Sequence, residues 1–336
     1  MSRPSRPRLD DVAARAGVST ASVSLVLRGK PGPSAGTREA VLGAAADLGY
    51  RPDRTASLLA RRRTQLLGVT MDVSNAFHAE LLDDLQAVAD SRGYDVVISP
   101  VTRTRDERRA VETLLDFRCE ALLMLGPSLP DQALAALAAE HAVVVVGRRA
   151  EVSGVDVVRA ADDRGVALAV EHLVGLGHRD IAFADGPRGP IATLRRQGYR
   201  TAMRRLGLGD AVRLLSGGDT EDAARATLES MGRPTPTAVI AFNDRLALGL
   251  LDQLRRAGVE VPRQLSVVGY DDSPLARLGA IDLTSVSQDP EVMAEAAVRC
   301  AVERLEGRPG PAVAVVLDPH LAERGTTAPP GAPWTG

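Results

Sequence analysis

Cysteine is scarce. Cys119 and Cys300 are the only two in 336 residues, too few for a disulfide framework, and no Cys/His cluster has zinc-site spacing. A reducing compartment is the simplest home for such a chain. Long apolar runs are also missing: none approaches the roughly 18 residues that a membrane span needs. The first thirty residues mix charge, Pro and Ser without the apolar stretch of a signal peptide, so a cytoplasmic location is expected. Lysine is nearly absent, Lys30 being the only one, which leaves the rest of the chain no amine for a Schiff base. No Gly-x-Ser-x-Gly elbow follows a strand, and there is no P-loop and no His-Glu-x-x-His. Gly175-Leu176-Gly177 lacks a third glycine and precedes a strand, so it is no dinucleotide loop. The five histidines are scattered, and His172 in a helix and His178 in a turn read as structural. These absences argue against an enzyme and against any metal or cofactor. A solute-binding protein or a cytoplasmic enzyme is the alternative reading of the same chain.

What is present is an uneven distribution of charge. The net charge of -2 conceals +7 in residues 1–65 and -9 in the remainder. A basic module on an acidic body is the footprint of a polyanion-binding head. With 45% hydrophobic and 25% charged residues, the chain is otherwise ordinary for a globular protein, with length for two or three domains.

Within the head, Leu9, Val12, Ala13 and Ala16 form an i, i+3, i+4, i+7 stripe that predicts a short helix stopped by Gly17. A second helix is expected from Ser19 to about Leu27. A third runs from Ser34, a good N-cap, through Val41, Leu42, Ala45 and Leu48 to Gly49. Helix, tight turn, helix and supporting helix make a helix-turn-helix outline. At about 100° per residue, Val23, Val26 and Leu27 turn inward while Thr20, Ala21, Ser24 and Leu25 point out. Small side chains on an exposed helix let it sit close in a major groove; the lesser alternative is that Ala21 and Leu25 belong to a protein contact.

The residues Val12-Ala13, Gly17-Val18-Ser19, Val23-Ser24, Gly29-Lys30-Pro31-Gly32, Thr37-Arg38 and Leu48-Gly49-Tyr50-Arg51-Pro52 strongly resemble the DNA-binding head of the lactose-repressor (LacI/GalR) family of bacterial transcription regulators. The resemblance puts Thr20 and Ala21 at base-reading positions and implies further DNA contacts from Ser19, Ser24, Arg28, Ser34, Thr37 and Arg38. Leu25 stands where many members have an arginine. Leucine offers only apolar contact, such as to a thymine methyl, so the operator should differ from that of arginine-bearing members. The linker from Asp53 to Arg63 reads by itself as a basic tether. The resemblance implies a hinge helix in the minor groove, with Arg54, Ala56 and Ala60 against DNA and Leu59 wedged between base pairs.

Beyond Thr64 the chain alternates strand-like and helix-like segments. Strands are expected at Leu66–Met71, Tyr94–Ser99, Ala121–Leu125, Ala142–Val146, Ile181–Ala184, Ala238–Phe242 and Leu265–Gly269, with helices between them. Val-, Ile- and Leu-rich runs separated by helices predict parallel sheets covered on both faces, here an α/β bilobed body. A ligand cleft is expected at the carboxyl ends of the strands. Ser74, Asn75 and Phe77, Asn243-Asp244, and Tyr270-Asp271-Asp272 fall just there, though such residues are also common N-caps. Glu171-His172-Leu173, Gly177-His178-Arg179, Arg195 before Gly198-Tyr199, Phe242-Asn243-Asp244 and Val267-Val268-Gly269-Tyr270-Asp271-Asp272 extend the resemblance to the family's periplasmic-binding-protein-like body.

The resemblance implies that Arg195, Asn243 and Asp271 line an effector cleft, with Ser74, Phe77 and Gln288 beside them, for a sugar or sugar derivative. Gly147 stands where the family frequently has an aspartate, and Arg148 and Arg149 follow. That exchange leaves room for an acidic or phosphorylated ligand. The expected organisation is a helix-turn-helix head at 1–52, a hinge at 53–63 and a body at 64–325. Its N-lobe would take 64–159 and 290–317, its C-lobe 160–289 and 318–325, and 326–336 would form a disordered tail. No leucine heptad follows the body, so a homodimer on a pseudopalindromic operator is expected, acting as a repressor.

Overall fold

A computed structural model describes residues 7–27, 29–50, 63–308 and 310–331. It divides into two compact units, Met1–Thr64 and Gln65–Gly336.

The first unit is three helices, α1 (Leu9–Ala16), α2 (Thr20–Leu27) and α3 (Ala35–Asp47). Gly17 ends α1 in the left-handed region at φ 67°, where a residue without Cβ is unstrained. Ser34 caps α3 by accepting from the Thr37 amide at 3.2 Å. Val12, Val23 and Val41, one from each helix, are fully buried and centre a small core with Ala13, Val26, Ala44 and Ala45. Leu42 departs from the expected stripe and is 51% exposed. Val41, Ala44, Ala45 and Leu48 already occupy the inward face, and Leu42 lies about 100° round the helix from Val41.

The second unit holds two six-stranded sheets. The first has the order β11-β5-β4-β3-β1-β2 and every pairing in it is parallel. Its strands are β1 (Leu66–Asp72), β2 (Asp95–Val101), β3 (Ala121–Leu125), β4 (Ala142–Val146), β5 (Val155–Ala160) and β11 (Ala314–Leu317). Helices α4 (Ala76–Ser91), α5 (Glu107–Asp116), α6 (Asp131–Ala138) and α11 (Pro290–Leu305) belong to this N-lobe. The second sheet runs β12-β10-β9-β8-β6-β7. Its strands are β6 (Ile181–Ala184), β7 (Arg213–Leu215), β8 (Ala238–Ala241), β9 (Ser266–Asp271), β10 (Ser285–Ser287) and β12 (His320–Ala322). Among the described strands of this sheet, only β10 and β12 pair antiparallel. Helices α7 (Asp162–Gly175), α8 (Pro190–Arg205), α9 (Ala224–Ser230) and α10 (Asp244–Arg256) complete the C-lobe. Strands β3 and β9 are buried at every position, as a sheet covered on both faces requires.

The chain crosses between lobes three times: from β5 to α7, from β10 to α11, and from β11 to β12. Strand β9 extends two residues past its expected end, so Asp271 is the last strand residue, at φ 108°. The expected tail is also corrected over its described part. Thr326 is 5% exposed. Its carbonyl accepts from the Val267 amide, and its hydroxyl donates to the Val267 carbonyl at 2.7 Å. Thr327 bonds His172, while the Ala328 carbonyl meets His178 at 2.9 Å. The segment is rich in proline, yet Thr326 and the Ala328 backbone satisfy polar groups of β9 that would otherwise be buried without partners.

Candidate functional site

On the head, Thr20, Ala21 and Leu25 present one exposed side of α2, with Leu25 39% exposed and Ser24 half-buried beside them. Ser19 starts this helix, accepting from the Ser22 amide at 3.2 Å. Ser34 and Thr37 join hydroxyls at 3.0 Å at the start of α3. Arg38 reaches back to the Lys30 carbonyl at 3.2 Å, steadying the loop after α2. Ser19, Ser34 and Arg38 thus hold the local frame as well as facing solvent. Arg28, Arg54, Ala56, Leu59 and Ala60 lie outside the described residues.

On the body, Ser74, Phe77, Arg195, Asn243, Asp271 and Gln288 all border one cleft of about 620 Å³, within the usual range for a small-molecule site. Its C-lobe wall is ionic and buried. Arg195, from α8, donates through Nε to Asp162 at 2.8 Å and through Nη1 to the Phe242 carbonyl at 2.6 Å. Its guanidinium carbon lies 3.5 Å from the centre of the Tyr270 ring, a cation–π stack. Gly198 makes this approach possible, because a Cβ there would stand 2.4 Å from the Asp163 carbonyl oxygen and push α8 off α7. Asp271 lies 3.7 Å from Arg195 Nη2 and accepts from Gln288 Nε2 at 2.8 Å. Burial pushes the Asp271 carboxyl up from the usual carboxylate range, against the pull of Arg195. Burial also raises Asp162, whose second oxygen has no partner, and Arg195 opposes it. Asn243 serves as the N-cap of α10, accepting from Leu246 at 2.9 Å, and donates to the Asp219 carbonyl at 3.0 Å.

The N-lobe wall differs. Ser74 turns its amide and hydroxyl onto Asp72 Oδ1, both at 2.8 Å. Asn75 caps α4 by accepting from the Phe77 amide at 3.0 Å. Phe77 lines the cleft from within the N-lobe core. Arg148, one of the two cations that left room for an acidic ligand, is a strut. Nε donates to Pro127 at 2.6 Å, while Nη2 and Nη1 donate to Leu129 and Arg149 at 2.8 Å, all backbone carbonyls. Arg149 pairs with Glu151.

Sequence reasoning missed Asp72, His78 and Arg245, which also line the cleft. Their only signal was position just after a strand or within a helix's first turn. Arg245 grips Glu221 and donates across the lobes to the Ser74 carbonyl at 2.6 Å. A second crossing joins Arg277 to Glu80 at 2.9 Å. His172 and His178 are structural, as expected, and among the described residues no cluster of His, Cys, Asp and Glu could hold a metal.

Residues 8–53 match the family described as bacterial regulatory proteins, lacI family, and residues 170–327 the periplasmic binding protein-like domain. The transcriptional regulator MalR of Streptomyces coelicolor is 36% identical, over 96% of each chain. The lac repressor dimer bound to operator and the anti-inducer ONPF is 30% identical. It superposes with a TM-score of 0.82 over 96% of this chain and 99% of its own. A complex of the regulator CelR with cellobiose is 31% identical, with a TM-score of 0.68 over 96% of this chain and all of the other.

Proposed function

Since the chain belongs to the lacI family of bacterial regulatory proteins, we propose that it is a transcriptional repressor that binds a pseudopalindromic operator as a homodimer and answers to a sugar or sugar derivative. One observation carries this reading. A basic head with a small-residue helix face and a body with a buried ionic cleft stand in one chain that aligns nearly end to end with an operator-bound repressor. Carboxylate and amide oxygens accept from sugar hydroxyls, and a guanidinium donates to them. Asp271, Gln288, Asn243 and Arg195 supply both kinds of group, while Phe77 and Phe242 offer apolar faces.

On this reading Thr20, Ala21, Ser24 and Leu25 meet base edges, Ser19, Arg28, Ser34, Thr37 and Arg38 meet phosphates, and Arg54, Ala56, Leu59 and Ala60 act in the minor groove. The head ends near residue 52 and a hinge spans 53–63. Catalysis forms no part of the role, and the site of action is the cytoplasm, where the operator is. No helix among the described residues is long and apolar enough to cross a membrane.

The test is fluorescence anisotropy on a duplex selected from a random library. Binding should weaken steeply with salt, because the head neutralises several phosphates. Deleting residues 1–63 should abolish it, and retained affinity in that truncation would overturn the assignment. Asp271→Asn should blunt the response to a sugar that releases or strengthens binding in the parent.

A further inference from the structure

His78 lies in the first turn of α4, on the N-lobe side of the cleft. Its Nδ1 is 3.3 Å from the Asp72 amide nitrogen. A backbone N–H can only donate, so Nδ1 accepts and the ring proton sits on Nε2. Burial holds the imidazole neutral, with its pKa lowered to about 4. The Nε2 edge lies against Gly126, where a Cβ would stand 3.3 Å from that nitrogen. Gly126 takes φ 54° and Gly147 beside it φ 86°, so neither position offers a side chain to cover this part of the wall. Most other polar side chains here are engaged. Ser74 is on Asp72, Asn75 on its helix, Ser128 on Glu107 and Arg148 on three carbonyls. Asp72 Oδ1 takes both Ser74 bonds, leaving Oδ2 as an acceptor.

We infer that His78 Nε2–H and Asp72 Oδ2 form the N-lobe's donor–acceptor pair for the effector, with His78 donating to an oxygen of a neutral polyhydroxylated ligand. The inference rests on the sugar-responsive reading above. It assigns the N-lobe wall a polarity opposite to what Arg148 suggested: a neutral donor beside a carboxylate, which suits a hydroxyl and disfavours an anion. Because a hydroxyl both donates and accepts, one sugar hydroxyl can use both members.

The full-length protein is titrated with galactose, ribose, maltose and cellobiose by thermal shift, and the responding sugar is then followed by calorimetry. His78→Phe keeps the ring but loses the donor, and should bind that sugar roughly tenfold or more weakly. His78→Gln, which restores an N–H, should recover part of the loss. The sugar-free melting temperature serves as the folding control. Monodeoxy analogues separate contact from support. One of them should bind the parent weakly yet suffer no such penalty in His78→Phe, whereas a structural role would lower affinity for every analogue alike. Parent-like affinity in His78→Phe, or a uniform loss across the analogues, would refute the role of His78 and leave the sugar reading intact. No shift of the parent by any of the four sugars would overturn the sugar reading and this inference with it.

Discussion

The two walls of the cleft achieve order by different means. The C-lobe wall relies on buried charge: one guanidinium is held among Asp162, Asp271 and the Tyr270 ring. The N-lobe wall relies on short-range hydrogen bonds, from Arg148 to backbone carbonyls, from Ser74 to the Asp72 carboxylate and from a backbone amide to Asn75. A buried ionic centre is preorganised for polar ligands and intolerant of change, because removing one partner strands the others in a low dielectric. A wall closed on itself tolerates change and leaves recognition to the few groups not engaged.

Arg195→Ala gives the sharpest test of that contrast. It strands two buried carboxylates and should cost about 3–5 kcal/mol in denaturant unfolding. A loss below about 1 kcal/mol would erase the distinction between the walls. Arg148→Ala should cost less, about 1–3 kcal/mol, since it leaves neutral carbonyls without donors. Its signature is faster amide exchange confined to Ser128, Leu129 and Asp131. Arg245→Met removes a crossing between lobes at a partly exposed site, so stability should move by no more than about 1 kcal/mol. The sugar response, read as the shift in operator affinity, should change while the melting temperature scarcely does.

The walls should also answer pH with opposite signs. The folded pKa of Asp271 is raised, so its contribution to stability is fullest below the unfolded carboxylate value and is lost as pH rises through the folded one. The folded pKa of His78 is lowered from 6.5 to about 4, so its contribution is present above 6.5 and lost as pH falls toward 4. Asp271→Asn should therefore compare more favourably with the parent at pH 8 than at pH 4. His78→Phe should flatten the parent's loss between pH 6.5 and 4. Chemical denaturation across that range measures both slopes, and slopes of the same sign would refute the comparison.

Much of the fold was legible because long apolar runs such as Ala121–Leu125 and Ala142–Val146 are unambiguous when flanked by helical periodicity. Strands of three residues, Ser285–Ser287 and His320–Ala322, carry no such period and draw their conformation from neighbours across the sheet. Ser74, Phe77, Arg195, Asn243 and Asp271 each follow an expected strand or sit in a quoted motif, whereas Gln288 came from the family resemblance alone. The setting of Arg148 was not legible because sequence gives a charge without its partners: two of the three carbonyls that engage it belong to a loop about twenty residues away. His78 was overlooked for a similar reason, since its tautomer is set by a backbone amide that no residue identity reveals.

The three crossings between lobes also bear on how the protein is made. Residues 9–47 close a core of their own, so the head can fold soon after it leaves the ribosome. The N-lobe cannot finish its sheet until β11 emerges, and β9 lacks its Thr326 partner until residue 326 has been added. At about 5–20 residues per second, the interval between a finished head and the arrival of residue 317 is roughly a quarter of a minute to a minute. Throughout that time the nascent polypeptide carries a folded cationic domain ahead of an unfinished, effector-insensitive body. A premature stop before residue 314 should therefore yield a product whose head is intact and whose two lobes are both incomplete.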